Sequence, residues 1–253
     1  MRIALGIVCL NEAPWLALHL PVILRSTRID GVVCIDGGST DDSAAIVRSF
    51  GGTVATRAWD WDFAAQQNAV IQLAERLGYD ALLKYDPDEL LFPEHIDQCA
   101  DLLATGQHKA LVVSRYNFEG DRRHYSPYLY PDKQLRWHVL NEGFYWYRRL
   151  HATTNAYTLW NEPAGTSPGV ERPILWLPHV NIYHYEGIKP IKERALKWLN
   201  YDRVQAGDAP LTVLPDGYAV PSLPVRYSVA FRGAQPLEPD ECGECALYER
   251  MIV

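Results

Sequence analysis

The chain has 253 residues and a mass of 28.7 kDa, which is long enough for one large domain or two small ones with a sizeable hydrophobic core. Hydrophobic residues make up 48% and charged residues 22%, a composition that excludes a disordered acidic chain, a coiled coil and a fibrous repeat. The net charge of -7 disfavours a general polyanion-binding protein, because such proteins displace phosphate counterions with lysine and arginine.

The five cysteines do not suggest a disulfide framework, since their number is odd and three of them fall in apolar runs. Cys242 and Cys245 form a C-x-x-C motif without a second pair, so no zinc site is predicted there. No apolar run approaches the roughly 20 residues that span a bilayer. The opening run, residues 3–10, lacks a cleavage site. We therefore expect a cytoplasmic protein that begins with a buried strand.

Strand-like runs and helical spacing alternate over the first hundred residues. The predicted strands span residues 3–10, 32–35, 53–56 and 81–85. The predicted helices span residues 15–23, 44–50 and 63–77, and Ser39 or Asp41 is the expected cap of the second helix. This alternation predicts an α/β fold with a mostly parallel, Rossmann-like sheet and helices on both faces.

Polar clusters follow three of these strands, at Asn11-Glu12, residues 36–42 and residues 86–89. Because the carboxyl ends of parallel strands share one edge of a sheet, we expect the three loops to converge on one crevice. The carboxylates of Asp86 and Asp88 suit a hydrated divalent cation or its phosphate ligands. The alternative for this acidic loop is a solvated turn without a ligand.

The second half of the chain has weaker periodicity but a clear shift in charge. It contains predicted strands over 110–114 and 134–139 and a predicted helix over 190–206. Residues 1–100 hold 7 Lys and Arg against 14 Asp and Glu, whereas residues 105–151 hold 8 against 4. Aromatic residues interleave with the arginines of this basic aromatic segment. Such residues either bind sugar rings, nucleobases and phosphates, or they form a core with a solvated arginine rim.

Four strings in order carry a specific resemblance: IVCLNE, CIDGGSTDDS, WDWDFAAQQN and LLKYDPDELL. Together they resemble the family 2 glycosyltransferases of the GT-A fold, especially the branch with motifs of the DTGSTDGT, ARN and DADE type. The resemblance covers residues 1 to about 95 closely. It implies one GT-A domain over residues 1–253, with a nucleotide-sugar donor half (1–100), an acceptor half (101–208) and a proline-rich C-terminal extension (209–253).

The resemblance also implies the donor site. Asn11 and Glu12 are expected beside the nucleotide, Asp36 near the base, and Asp86 near the ribose. Asp88 is expected on a Mn²⁺ or Mg²⁺ ion that bridges the diphosphate. The donor-site residues implied in this way are Asn11, Glu12, Asp36, Gly38, Asn68 and Asp86.

A late histidine ligand is implied by IYHYEG, which resembles an HYG-type segment and makes His184 the third metal contact, with His179 in reserve. An imidazole ligand suits Mn²⁺ better than Mg²⁺. The alternative for His184 is a histidine hydrogen-bonded within an aromatic strand.

The sequence departs from the family at three positions. Gly37 stands where many members have a second aspartate or a threonine, which is expected to loosen recognition of the base. The arginine of the ARN motif is Gln67 here, so the diphosphate charge must be met by the metal or by other cations. PDKQLRW, residues 131–137, is similar to a PDWQLRLF-type segment, but the His-Glu pair that follows it in the family is His151-Ala152. The general base therefore stays open among three carboxylates: Asp132, Glu142 and Glu162.

The predicted function is metal-dependent transfer of a sugar from a nucleotide-diphosphate sugar to an acceptor. The acceptor is expected to be anionic or aromatic, such as a phosphorylated glycan, a lipid-linked core or a nucleic-acid base bound by residues 105–151. One alternative is a non-catalytic sugar- or nucleic-acid-binding module, which Gln67 and Ala152 favour. A nucleotidyltransferase is disfavoured, because residues 5–15 lack a glycine- and lysine-rich phosphate loop.

Overall fold

The computed structural model describes residues 1–119, 121–125, 133–142, 145–148, 157–160, 174–218 and 229–230. The chain forms two compact units. Unit 1 comprises Met1–Ser114 and Lys133–Ile182, and unit 2 comprises Arg115–Asp132 and Tyr183–Val253. The expectation of one domain over residues 1–253 stays a prediction. Of the proline-rich extension, the structure describes residues 209–218 and 229–230.

Strands and helices alternate through the first part of the chain, as the sequence predicts. The elements are β1 Ile3–Cys9, α1 Ala13–Ile23, β2 Gly31–Asp36, α2 Ser43–Ser49, β3 Thr53–Thr56, α3 Phe63–Arg76, β4 Ala81–Tyr85, β5 Glu89–Leu90 and α4 Pro93–Ala104. The later elements are β6 Ala110–Glu119, β7 Asp121–Tyr125, β8 Lys133–Val139, β9 Tyr145–Arg148, β10 Tyr157–Trp160, β11 Ile174–Gly187, α5 Ile191–Ala206 and β12 Val229–Ala230.

The sheet of unit 1 has the strand order β3-β2-β1-β4-β8-β6. The first four strands are parallel to one another, and Leu5 in β1 pairs with Val32 in β2 and Leu83 in β4. Strand β8 then runs antiparallel to both β4 and β6. This arrangement confirms the predicted α/β fold with a mostly parallel sheet.

The central strand β1 is buried on both faces, because helices cover the sheet on each side. A Cβ atom added to Gly6 would lie 2.7 Å from both Val70 Cγ1 of α3 and Leu82 Cδ1 of β4, so this face packs tightly against α3. Residues on the opposite face of β1, such as Leu5, are fully buried as well. The core on the α3 side consists mainly of Ala4, Val8, Val33, Ile35, Ala64, Val70, Ile71 and Ala74.

The starts of α1 and α2 share one carboxylate. Asp41 accepts hydrogen bonds from the backbone N–H groups of Ala13 and Ser43, each at 3.0 Å, and from the Ser43 hydroxyl at 2.6 Å. The Ser43 hydroxyl in turn accepts from the Glu12 N–H at 2.8 Å. The N-cap position of α2 is Asp42, which makes no side-chain capping bond. The predicted capping by Asp41 thus occurs from one position earlier, and it reaches both helices.

Unit 2 contains the last part of β6, paired antiparallel with β7, and β12 paired antiparallel with β7. Aromatic side chains line these strands: Tyr116 stacks on Tyr183 and meets Tyr125 edge to face. Helix α5 ends at Gly207, which adopts the left-handed conformation (φ 87°) that favours glycine. Among the described residues, no helix combines the length and hydrophobicity that a membrane span requires.

Candidate functional site

Three loops leave the same edge of the parallel sheet in unit 1. Strand β1 lies between β2 and β4, with Cys9 opposite Asp36 and Ile7 opposite Tyr85. The segments that follow these strands therefore begin side by side, where α/β sheets bind their ligands. The segment after β1 contains Asn11, the segment after β2 begins at Gly37, and the segment after β4 is the acidic turn that contains Asp88.

The loops after β1 and β2 are locked together by hydrogen bonds around Asp36. The buried Asp36 carboxylate accepts from the Ser39 N–H at 3.1 and 3.2 Å and from the Ser39 hydroxyl at 2.5 Å. Asn11, in a left-handed conformation (φ 55°), donates its N–H to the Ser39 oxygen at 3.0 Å and accepts from the Thr40 N–H at 2.8 Å. Both side chains are thereby fixed at the sheet edge.

The two glycines after Asp36 serve different purposes. A Cβ atom on Gly37 would lie 3.0 Å from Trp59 Cε3 and 3.2 Å from the Cys9 carbonyl oxygen, so the indole leaves no room for a side chain. Gly38 has φ 98°, which disfavours any other residue, and no described atom lies within 4 Å of where its Cβ would be. The backbone at Gly38 is therefore open to close approach by a ligand.

A charge-balanced network surrounds Asp86. Lys84 Nζ lies 2.7 and 2.6 Å from the two Asp86 oxygens, and Arg136 Nη1 lies 3.1 Å from Asp86 Oδ2. Arg136 also donates from Nη2 to Glu89 Oε1. Burial alone would raise the pKa of Asp86, but Lys84 and Arg136 outweigh it and hold that pKa well below its ordinary value. Asp86 is therefore an ionised, oriented carboxylate.

The acidic turn that contains Asp88 is fixed by contacts to the carbonyl oxygen of Pro87. The Pro87 carbonyl accepts from the Tyr85 hydroxyl at 3.1 Å, and His19 Nδ1 lies 2.8 Å from the same oxygen. The Glu89 N–H closes the turn onto the Asp86 carbonyl at 3.0 Å. Asp88 itself is buried in this fixed turn.

The part of strand β11 that belongs to unit 2 carries His184 and Glu186, both buried. Residues two apart on a strand point to the same face, so these side chains are neighbours. His184 Nδ1 lies 2.9 Å from Asn117 Oδ1. With this oxygen as acceptor, Nδ1 donates and Nε2 keeps the lone pair, which is the tautomer that a metal ligand needs. Lys197 and Lys189 pair with Glu186 at 3.0 and 3.4 Å.

Glu186 was not predicted from the sequence, although its spacing from His184 in the H-Y-E string would place both side chains on one face of a strand. The reserve ligand His179 is exposed, and its Nε2 lies 2.9 Å from Gln98 Nε2 of α4.

Asn68 is engaged with the backbone of β9. Its side-chain NH₂ donates to the Trp146 carbonyl at 2.8 Å, and its oxygen accepts from the Trp146 N–H at 2.7 Å. A place for Asn68 beside a donor nucleotide stays a prediction. In the structure, the Asn68 side chain fixes the backbone of Trp146.

Of the three candidate bases, the structure describes one, Glu142. Glu142 is half-buried and accepts from Lys109 Nζ at 2.9 Å. Asp132 and Glu162 lie outside the described residues, as does the whole of 149–156 with His151. The assignment of the base therefore stays a prediction.

Part of the basic aromatic segment is core. Arg136, Trp137 and Phe118 are almost completely buried, so they are not available as an acceptor-binding surface. For these residues, burial favours a core of aromatic side chains over an acceptor-binding surface. The side chains of the Arg122-Arg123 and Arg148-Arg149 pairs lie outside the described part of the chain.

Comparison with known proteins agrees with this geometry. The profile of glycosyl transferase family 2 matches residues 5–169. The crystal structure of S. aureus TarS 1–349 superposes with a TM-score of 0.50 at 15% identity, covering 82% of this chain and 68% of that chain. The same fragment in complex with UDP-GlcNAc gives a TM-score of 0.50 at 13% identity, with 83% and 68% covered.

The longer S. aureus TarS crystal structure gives a TM-score of 0.51 at 15% identity and covers 82% of this chain and 41% of that chain. No curated protein matches the sequence significantly. The structural likeness supports the GT-A fold, and the profile match spans well over half of the chain. This protein therefore belongs to glycosyl transferase family 2 and is a glycosyltransferase of the GT-A fold.

Proposed function

We propose that the protein transfers a sugar from a nucleotide-diphosphate sugar to an acceptor, and that the donor binds where the loops after β1, β2 and β4 meet. The observation that carries this proposal is the shared sheet edge, with Cys9 opposite Asp36 and Ile7 opposite Tyr85. Family membership supplies the reaction class.

The nucleotide half of the donor is proposed to bind against Asp36 and Gly38. Asp36 is a buried, fixed acceptor for a base or ribose donor group, and the open backbone at Gly38 admits a ligand closely. Asn11 and Glu12 lie between β1 and α1 at the same edge, and they are proposed to border the nucleotide there. Asp86, oriented by Lys84 and Arg136, is proposed to accept a ribose hydroxyl.

A divalent ion is proposed to be held by Asp88 and by His184, as the sequence resemblance implies. Both side chains are buried, and they offer a carboxylate oxygen and an imidazole nitrogen. The chemistry of this pair fits such an ion, because a mixed oxygen and nitrogen ligand set suits Mn²⁺ better than Mg²⁺. When bound, the ion stabilises negative charge on the leaving diphosphate.

The acceptor is proposed to be anionic or aromatic, such as a phosphorylated glycan or a nucleic acid. This proposal depends on the arginines of residues 105–151 other than Arg136. An acceptor hydroxyl needs a carboxylate within hydrogen-bond reach to take its proton. Asp132, Glu142 and Glu162 are the candidates, and the variant among Asp132→Asn, Glu142→Gln and Glu162→Gln that loses transfer but keeps donor binding identifies the base.

Thermal unfolding with a panel of nucleotide sugars tests the proposal. The panel contains UDP-glucose, UDP-GlcNAc, GDP-mannose, ADP-glucose and dTDP-glucose, each with Mn²⁺ or with EDTA. A donor at about 100 times its Kd stabilises the folded state by about 2.7 kcal/mol. For a chain of this size, that raises the unfolding temperature by about 5–10 °C. The rise should need Mn²⁺ and should be lost in Asp36→Asn.

The matched control is Asp101→Asn, since Asp101 is a surface carboxylate, 70% exposed and paired with Arg28. It should keep the full response. A panel without any shift contradicts the proposal. A shift without slow release of nucleoside diphosphate from the donor contradicts transfer and favours a binding module.

A further inference from the structure

Lys84 carries a charged group into the interior of unit 1. It lies on β4 among apolar neighbours, and its side chain is 2% exposed. Burying an ammonium group is costly unless an opposite charge compensates it, and here that charge is Asp86, whose two oxygens lie 2.7 and 2.6 Å from Nζ. The contact is bidentate on the carboxylate, so it fixes the plane of the Asp86 group.

Arg136 approaches the same carboxylate from another strand. It lies on β8, its side chain is also 2% exposed, and its Nη1 is 3.1 Å from Asp86 Oδ2 while Nη2 binds Glu89. The guanidinium plane is thereby held at both ends. Two cations from β4 and β8 thus hold one carboxylate that follows β4.

Lys84 is itself packed against a fixed group. Its Nζ lies 5.9 Å from the centroid of the Trp146 ring, and the backbone of Trp146 is held at both its N–H and its carbonyl by the Asn68 amide. The cation therefore has an aromatic wall on one side and Asp86 on the other.

Stability does not account for this network. Buried ion networks are often no more stable than apolar side chains of the same volume, so stability is a weak reason for placing two cations here. Asp86 is the member with solvent access, its side chain being 27% exposed, and it follows β4 at the edge that also carries Asp36. The network balances two carboxylates with two cations, so it adds no net negative charge beside a diphosphate.

We propose that Lys84 and Arg136 are positioning residues that hold Asp86 in the one orientation in which it accepts a ribose hydroxyl of the donor. This inference rests on the proposed function, since it needs a nucleotide at the sheet edge. It assigns to the two buried cations a role in recognising ribose, separate from any contact with the phosphates.

Isothermal titration with nucleoside diphosphates tests the inference. UDP, GDP, ADP and CDP are titrated in Mn²⁺, and the one that binds is compared with its 2′-deoxy and 3′-deoxy forms. Wild type should prefer the ribose form over at least one deoxy form by about tenfold or more, the effect of one hydrogen bond to a charged group. In Lys84→Met that preference should fall to within about threefold. Asp86→Asn should lose it equally.

A double variant separates positioning from general damage. In the Asp86→Asn background, adding Lys84→Met should change the ribose preference no further, because both act through one contact. Arg28→Met, which removes a surface ion pair to Asp101 at 3.0 Å, should keep the wild-type preference. If Lys84→Met does not fold, Lys84→Gln, which keeps a hydrogen-bond donor without the charge, takes its place.

The outcomes are distinguishable. If wild type binds no nucleoside diphosphate, the proposed function fails and the inference fails with it. If wild type binds one but Lys84→Met keeps the full ribose preference, or wild type has no preference, the inference is overturned while the donor site stands.

Discussion

Replacing Arg136 by methionine should destabilise the protein strongly, because it leaves Glu89 as a buried charge. Both side chains are 2% exposed, and Arg136 is also bonded to Asp86. Removing one partner of a buried ion pair costs about 3–5 kcal/mol. Lys84 stays beside Asp86 in this variant. We therefore expect the lower end, about 3 kcal/mol, which corresponds to a fall of about 6–12 °C in the unfolding temperature.

Urea unfolding of a matched set measures this loss. Adding Glu89→Leu to Arg136→Met removes the buried carboxylate that Arg136 compensates in wild type and keeps the ion pair of Lys84 and Asp86, so most of the lost stability should return. Arg28→Met breaks an exposed ion pair and should cost less than about 1 kcal/mol. The reasoning is refuted if Arg136→Met unfolds within about 1 kcal/mol of wild type, or if the double variant is no more stable than the single one.

Three further predictions concern the fold. Gly6→Ala should lower the free energy of unfolding in urea by about 1–3 kcal/mol, because the new methyl meets Val70 and Leu82 at 2.7 Å. Asn68→Ala should cost about 1–3 kcal/mol in the same assay, since it leaves the Trp146 N–H without its acceptor. For Asp41, burial raises the pKa, but hydrogen bonds from Ser43 and Ala13 outweigh it and lower the pKa below 3.8. The stability that Asp41 contributes is therefore present above pH 3.8 and lost as pH falls further, and Asp41→Asn should flatten this part of the urea-midpoint profile.

The alternation of strands and helices up to residue 85 was predictable because each element carries its own period and is bounded by a turn signal. Helix α4 was missed although its signal is local: Pro93 opens it, and Ile96, Cys99 and Leu103 recur at helical spacing. Strand β11 was harder, since its burial pattern is irregular and its prediction depends on which neighbours cover it.

The buried network around Asp86 could not be predicted from the sequence. Arg136 is 47 residues from Glu89 along the chain, and the sequence pattern around an arginine beside a tryptophan is the same whether it lies on a surface or in a core. The pairing is decided by the antiparallel placement of β8 beside β4, a long-range contact that local periodicity does not encode. By contrast, the positions of Asp36 and Asp88 at the carboxyl ends of parallel strands were predictable, because Asp36 ends the apolar run of β2 and Asp88 lies in the acidic turn after β4.

The sharpest test of a metal-assisted donor site is the release of nucleoside diphosphate from the donor, measured in wild type and in Asp88→Ala. After EDTA treatment wild type should lose turnover and regain it with Mn²⁺, whereas Asp88→Ala should stay inactive in both buffers at an unchanged unfolding temperature. Full turnover of Asp88→Ala in EDTA would contradict a metal-assisted donor site built on the turn after β4.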